Sequence, residues 1–113
     1  MRGAVLIPHL IIAQQFFTRF WGLMLRREIA DNEGILFPHC NSIHTFFMRI
    51  PIDVVFISKK GIVVAVVENL SPWRVLFPRP GADAVLEIGA ARARTLGLAE
   101  GEQLEAEGIF NAH

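Results

Sequence analysis

Residues 34–58 read GILFPHCNSIHTFFMRIPIDVVFIS, two apolar runs on either side of a small polar segment, with one acid inside the second run. Successive side chains of a strand alternate between its two faces, and both sets around Asp53 are apolar. The pattern predicts a strand over 52–58 that is buried on both sides. A carboxylate there must leave water, which is tolerated only when backbone amides or a cation bind it. We therefore expect local donors to hold Asp53 in place.

This stretch is part of a series of six segments: WGLMLR, EGILF, CNSIHTFFMRIPIDVVF, GIVVAVVENLSPWR, AVLEIGA and LGLAEGEQL. In this order they resemble the family known as domain of unknown function 192, over about residues 10–107. The resemblance implies a compact β-rich domain with short helices, found in exported and unexported bacterial and archaeal proteins, and no agreed activity. The positions that match the family pattern are Arg19, Gly22, Leu23, Met24, Arg26, Phe37, Met48, Pro51, Asp53, Phe56, Pro72, Leu86, Glu87 and Gly97.

Four positions depart from that pattern. Ile35 and Ile52 stand where methionine or leucine is usual, and Glu102 stands where aspartate is common. Ala91 replaces a common glycine. The two isoleucines keep the apolar volume, whereas Ala91 bears on the backbone after the nearby strand, because alanine does not enter left-handed geometry freely.

Length and composition predict one folded domain over residues 1–113 with no room for a second domain, and the resemblance implies a core of about residues 10–107. Hydrophobic residues make up 52% of the chain and charged residues 19%, which favours folding over disorder. Eleven basic and eleven acidic side chains cancel, so no global field attracts nucleic acid or an anionic membrane. We expect no nucleic-acid partner. The single cysteine, Cys40, cannot form an internal disulfide, which fits the cytoplasm.

The N-terminal apolar run is short. Arg2 followed by AVLIPHLIIA mimics a signal peptide, but Pro8 and His9 interrupt the run and no small-x-small cleavage pattern follows. The run is also shorter than the roughly 20 apolar residues of a membrane span. We interpret residues 4–13 as a strand and expect no transmembrane segment.

The rest of the chain predicts strands separated by turns and two short helices. Helical spacing of apolar residues indicates one helix over 14–26, and residues 89–96 indicate another that ends at Gly97. Lys59, Lys60 and Gly61 predict a hairpin after residue 58. Further strands are predicted over 35–37, 43–48, 62–68, 84–88 and 103–107. The predicted fold class is mainly β, an antiparallel two-sheet sandwich or a partly closed barrel with two short helices. Antiparallel pairing is favoured because no full-length crossover helix separates two strands.

One group of residues could carry chemistry. Cys40, His44 and Asp53 are candidates for a thiol or acid–base site, and His39, Cys40 and His44 are weak candidates for a metal site. A fully extended chain would hold Cys40 and His44 roughly 13 Å apart, so only a turn between them could build a site. The alternative is a buried cysteine, an exposed His39 and a strand histidine bonded to a carbonyl, and this alternative is favoured. No cofactor is expected.

Glu87 resembles Asp53 as an acid within an apolar strand. Two carboxyl groups on neighbouring strands could share a proton and act as general acid and base. More often each acid accepts bonds from arginine or turn amides, and Arg19 and Arg26 are the partners expected here. On this interpretation Asp53, Glu87, Arg19 and Arg26 are structural polar residues.

Residues 70–82 contain three prolines and cannot lie at a sheet centre. Trp73 and Arg74 have the composition of a binding patch, but a loop packed on its own core would look the same, and packing is favoured. The predicted function is a non-catalytic binding or accessory module that holds a protein partner or small ligand at Trp73, Arg74 and His44. The alternative is a small enzyme or metal protein using the Cys40, His44 and Asp53 site. No nucleophile elbow, phosphate loop, paired metal motif or dinucleotide fingerprint is present, which favours the first.

Overall fold

The computed structural model describes residues 9–12, 33–44 and 50–104, with residues 9–12, 33, 43 and 44 described by their backbone alone. The predicted helix over 14–26, with Arg19 and Arg26, falls outside the described residues, as do parts of the predicted strands 4–13, 43–48 and 103–107. The described elements are β1 (His9–Ile12), β2 (Glu33–Pro38), β3 (Ile43–His44), β4 (Ile52–Ile57), β5 (Val63–Leu70), β6 (Val75–Leu76), β7 (Ala84–Gly89) and the helix α1 (Arg92–Leu96).

The main sheet has the strand order β1-β2-β7-β4-β5, and β3 pairs with β6 in a second, two-stranded sheet. In the order β2, β7, β4 and β5, each strand is antiparallel to its neighbour. Every residue of β4 and β7 is buried, because both strands lie inside the sheet and both faces of the sheet are covered. The prediction of a strand buried on both sides over 52–58 is therefore confirmed.

The fold is mainly β, as predicted. The sheet is not closed, since no ladder joins β1 to β5 within residues 9–12, 33–44 and 50–104, so the partly closed barrel is replaced by an open sheet. Strand β1 runs parallel to β2, against the antiparallel expectation. Residues 13–32 connect the two strands, and a connection of this length is long enough for the crossover that parallel pairing requires.

The hairpin between β4 and β5 is confirmed. Ser58 and Ile62 close it, with the amide of Ser58 donating to the carbonyl of Ile62 at 2.9 Å. Gly61 has a φ of 86°, the left-handed geometry that glycine adopts without strain. Gly61, which predicted a turn from the sequence, is thus the residue that adopts the positive φ of this turn.

Two apolar clusters cover the opposite faces of the main sheet. The first, which we call the strap face, consists of Ile35, Phe37, Ile52, Val54, Phe56, Ala65 and Val85. The second, which we call the helix face, includes Leu36, Val55, Ile57, Val63, Ala84, Leu86 and Ile88, with Ala93 of α1 packed against them. Gly97 ends α1 with a φ of 72°, as predicted from the sequence.

Residues 71–82, which we call the strap, cross one face of the sheet. Both β5 and β7 pair antiparallel with β4, so they run in the same direction, and the strap carries the chain from the end of β5 to the start of β7. Leu76 and Ala82 pack against the strap face, and the guanidinium of Arg79 lies 5.3 Å from the centre of the Phe56 ring. A strap that includes β6 thus takes the place of a crossover helix.

Candidate functional site

Asp53 is fully buried in β4 and accepts two hydrogen bonds from backbone amides. The Asn69 amide donates to Oδ1 at 2.8 Å, and the Ala93 amide donates to Oδ2 at 2.9 Å. Each carboxylate oxygen therefore accepts a hydrogen bond from a backbone amide. The Asn69 and Ala93 amides are donors of the kind expected for a buried carboxylate, while the expected partners Arg19 and Arg26 lie outside the described residues.

A β-bulge brings the Asn69 amide to this carboxylate. Ile52 pairs with Leu70 and Val54 pairs with Val67, so two residues of β5 lie opposite Asp53. Asn69 has a φ of 55°, which asparagine tolerates better than most residues. Asp53 thereby joins the bulge at the end of β5 to the first turn of α1.

The turn that begins the strap follows this bulge directly. Pro72 and Trp73 form the turn, and Trp73 has a φ of 64°. A turn with positive φ at its third residue normally places glycine or asparagine there, and a bulky side chain makes the conformation strained. The Trp73 side chain is nevertheless 59% exposed. A strained backbone therefore holds an aromatic side chain that is more than half exposed.

The outer side of the strap is apolar. Trp73, Val75 and Phe77 alternate along the chain and are 59%, 49% and 81% exposed, whereas the intervening Leu76 packs inward. The interpretation that this loop packs on its own core is correct for Leu76 and wrong for the three outer residues. His44 lies opposite Val75 in the register of β3 and β6. The pairing therefore brings the backbone of His44 near the segment that contains Trp73 and Arg74.

Cys40 lies on the other side of the sheet from Asp53. It is half-buried against the strap face, and its Sγ donates to the Ser42 carbonyl at 3.0 Å. Asp53 instead reaches α1 through Ala93, which belongs to the helix face. The predicted site of Cys40, His44 and Asp53 is therefore wrong in including Asp53, because the sheet separates the Asp53 carboxylate from Cys40.

His39 has an acidic neighbour. Its side chain is exposed, and its Nδ1 lies 3.6 Å from Oδ2 of Asp83. Within the described ranges, no group of three or more His, Cys, Asp or Glu residues is arranged to hold a metal ion. His44 contributes only its backbone to the described structure, so its distance from Cys40 is not among the described contacts.

Glu87 is the second buried acid, and it faces the strap side. In the register of β7 it lies opposite Ile35 and Val54, both members of the strap face. Its Oε2 is buried and has no hydrogen-bond partner in the described part of the chain. Burial raises the pKa of Glu87 to about 8, because the ionised form loses its hydration.

The two buried acids do not form a pair. Asp53 lies opposite Ile88, a helix-face residue, while Glu87 lies opposite Val54 on the strap face. Residues opposite each other on adjacent strands share a face, so the two carboxyl groups point to opposite sides of the sheet. The interpretation that they share a proton is wrong.

The profile of the family DUF192, described as "Uncharacterized ACR, COG1430", matches residues 2–106. The chain belongs to the DUF192 family. The resemblance drawn from the six sequence segments is thereby confirmed. No helix in the described part of this DUF192 protein is long and apolar enough to cross a membrane.

Archaeal relatives of this DUF192 protein carry the name UPF0127 protein. The one from Thermococcus sibiricus is 33% identical over 110 residues, which cover 94% of this chain and 71% of the relative. The one from Thermococcus gammatolerans is 35% identical over 105 residues, covering 89% of this chain and 68% of the relative. These names assign no activity.

Two crystal structures share the fold at 28% sequence identity. A protein of unknown function from Novosphingobium aromaticivorans superposes with a TM-score of 0.74, over 86% of this chain and 74% of that protein. A protein from Sinorhizobium meliloti, described as a candidate transcription regulator, superposes with a TM-score of 0.75, over 85% and 79%. The fold of this DUF192 chain is therefore shared with proteins from two bacteria.

Sequence reasoning missed the residues that connect Asp53 to the strap. Asn69 and Ala93 supply the donors, and Val75 and Phe77 extend the exposed surface. One signal was available, since asparagine is enriched in left-handed geometry and Asn69 stands just before the turn that begins the strap. The amide of Ala93 carries no signal in the sequence, because every residue except proline has such a group.

Proposed function

We propose that this DUF192 domain is a non-catalytic binding module, and that its partner binds the outer side of the strap. The observation that carries the proposal is Trp73, whose side chain is more than half exposed while its backbone has a φ of 64°. Tryptophan contributes more to binding than most side chains when it enters a partner's pocket. Arg74 follows it in the chain, and His44 lies opposite Val75.

The way in which the strap is held supports this proposal. Asp53 fixes the Asn69 bulge, and Leu76 and Arg79 contact the strap face. A surface that is already ordered loses little conformational entropy on binding. The outer apolar side chains therefore stand on a backbone that is anchored at several points.

An enzymatic function has less support. The proposed acid of that site, Asp53, accepts two amide bonds on the helix face, and the Cys40 thiol donates to a nearby carbonyl. Nucleic-acid binding is not part of the proposal, since the formal net charge is zero. A single domain in the reducing cytoplasm remains the setting we propose, on the ground of the lone Cys40.

Peptide selection tests the proposal. A random peptide library displayed on phage is selected against the wild-type protein, and the affinities of the selected peptides are then measured for three variants. We expect Trp73→Ala and Phe77→Ala each to weaken binding by about tenfold or more, equivalent to about 1.4 kcal/mol. Ile62→Ala is the matched control, because Ile62 is an exposed apolar residue at the β4–β5 hairpin.

Urea unfolding of each variant shows whether it is folded. If Trp73→Ala unfolds, Phe77→Ala serves alone, since that side chain is 81% exposed. Selected peptides that bind both strap variants as tightly as the wild type would refute the proposal. Failure to select any peptide after repeated rounds would refute it as well.

A further inference from the structure

We infer that Glu87 is the polar anchor of an internal ligand site, and that this site takes an apolar molecule carrying one ammonium group. The inference goes beyond the binding face proposed above and does not depend on it. The observation that carries it is the Glu87 carboxyl, which is 1% exposed and whose Oε2 has no hydrogen-bond partner in the described part of the chain. Buried polar atoms of native proteins nearly always have a partner, so this oxygen marks a place where a donor is missing.

Glu87 lies within an apolar surface. Ile35 and Val54 lie opposite it on the two adjacent strands, and Phe56 is its diagonal neighbour on β4. All three are buried members of the strap face. Ligand sites in proteins are mostly apolar, with a few polar groups that fix the orientation of the ligand. One carboxyl among aliphatic side chains and an aromatic ring has that composition.

An ammonium group matches this carboxyl better than other donors do. Burial raises the pKa of Glu87 to about 8, and a cation bound to the carboxyl would oppose that rise. An ammonium group supplies both the missing donor and a countercharge, whereas a hydroxyl group supplies only the donor. The guanidinium of Arg79 over the Phe56 ring shows that the strap face accommodates a cation beside an aromatic ring. A metal ion would need further ligands, and no group of three or more His, Cys, Asp or Glu residues is arranged to hold one within residues 9–12, 33–44 and 50–104.

A ligand reaches Glu87 only when the layer over the strap face opens. The strap belongs to that layer, since Leu76 and Ala82 pack on the strap face. Its strand β6 pairs with β3 over two residues only, within the part of the chain that the structure describes. Segments with few buried contacts open locally at a lower free-energy cost than the central strands of a sheet. Opening of the strap therefore gives a ligand a route toward the apolar surface around Glu87.

Isothermal titration calorimetry with three six-carbon probes tests the inference. Hexylammonium, hexanol and hexanoate share an apolar chain and differ in the group that would meet Glu87. At pH 7 we expect hexylammonium to bind at least about tenfold more tightly than hexanol or hexanoate. Glu87→Gln keeps the volume of the side chain but not its charge, so it should remove this preference. Glu100→Gln makes the same substitution at an exposed acid and should retain it.

Proton release identifies the group that the ligand meets. At pH 7 the Glu87 carboxyl of the free protein carries its proton, because its pKa is about 8, and it must release that proton to pair with an ammonium group. Titrations in buffers of different ionisation enthalpy measure the released protons. We expect roughly one proton per bound hexylammonium at pH 7 and far fewer at pH 9.

Three results would overturn the inference. They are equal affinities of the wild type for hexylammonium and hexanol, hexylammonium binding without proton release at pH 7, and the absence of hexylammonium binding at millimolar concentration. Hexylammonium affinity that is unchanged in a folded Glu87→Gln variant would overturn it as well. If urea unfolding shows that Glu87→Gln is not folded, proton release by the wild type decides. None of these measurements depends on the outer side of the strap.

Discussion

At the scale of single residues, the Asp53 carboxylate is fully buried and accepts hydrogen bonds from two backbone amides. Asparagine has the same shape but can accept at only one of its two terminal atoms, so Asp53→Asn places the side-chain amide NH2, a donor, against a backbone N–H that is also a donor. We expect the free energy of unfolding to fall by about 3 kcal/mol, measured by urea unfolding. Asp83→Asn is the control, since its carboxylate faces an exposed histidine and should matter by less than about 1 kcal/mol. Equal effects of the two substitutions would contradict this account.

Glu87 predicts a dependence of stability on pH. Its pKa in the folded protein is about 8, above the ordinary value of 4.5, so between these values the unfolded chain ionises while the folded protein keeps its proton. The folded state then binds more protons, and the free energy of unfolding falls as pH rises through this window. The total change is on the order of a few kcal/mol.

Glu87→Gln isolates this contribution, because the amide does not titrate. Urea unfolding at pH 4.5, 6.5 and 8.5 gives the free energy of unfolding of each protein. We expect the wild type to lose stability relative to the variant as pH rises. A difference that stays constant with pH would show that Glu87 is hydrated or paired.

Ala91 adopts a backbone conformation that favours glycine. Its φ is 70°, so the backbone keeps left-handed geometry in spite of the alanine side chain. Ala91→Gly removes that strain, and we expect a gain of about 1 kcal/mol in the free energy of unfolding. The neighbouring Ala90 does not have positive φ, so Ala90→Gly should give no gain. Thermal unfolding of both variants checks the comparison.

At the scale of elements, the strap has an inner side that stabilises the fold and an outer side that does not. Leu76 packs on the strap face, while the adjacent Phe77 is 81% exposed. We expect Leu76→Ala to lower the free energy of unfolding by about 2 kcal/mol and Phe77→Ala to change it by less than about 0.5 kcal/mol. A larger loss for Phe77→Ala in urea unfolding would mean that the strap packs the other way.

At the scale of the whole molecule, local patterns in the sequence predicted individual strands and turns. The positions of side chains relative to one another across the sheet depend on which strands pair and in which register. The apolar residues around Asp53 required burial on both sides, and Gly61 required a turn, so β4 and its hairpin followed. Whether Asp53 and Glu87 face each other depends on the register of β4 and β7, which neither segment specifies alone. The exposure of Trp73 was also undetermined, because an apolar residue in a proline-rich segment is compatible with packing or display.

Asp53 also connects the stability of the fold to the order of the turn that carries Trp73. Its carboxylate accepts a hydrogen bond from the Asn69 amide, and the turn that presents Trp73 begins two residues later. Without that bond the turn is less ordered before binding, and ordering one residue costs about 1 to 2 kcal/mol. We expect Asp53→Asn to weaken Trp73-dependent peptides by roughly fivefold or more, although Asp53 touches no partner.

Hydrogen exchange distinguishes this coupling from general unfolding. In Asp53→Asn the amides of Asn69 and Ala93 should exchange faster than in the wild type, while amides of β7 keep their protection. Glu87→Gln is the control, because it changes the other buried acid and leaves both amide bonds in place. Peptide affinity that is unchanged in Asp53→Asn, with faster exchange at Asn69, would mean that the strap turn is ordered without the bulge. The buried acid would then stabilise the fold alone, and the role of Trp73 would rest on its own exposure.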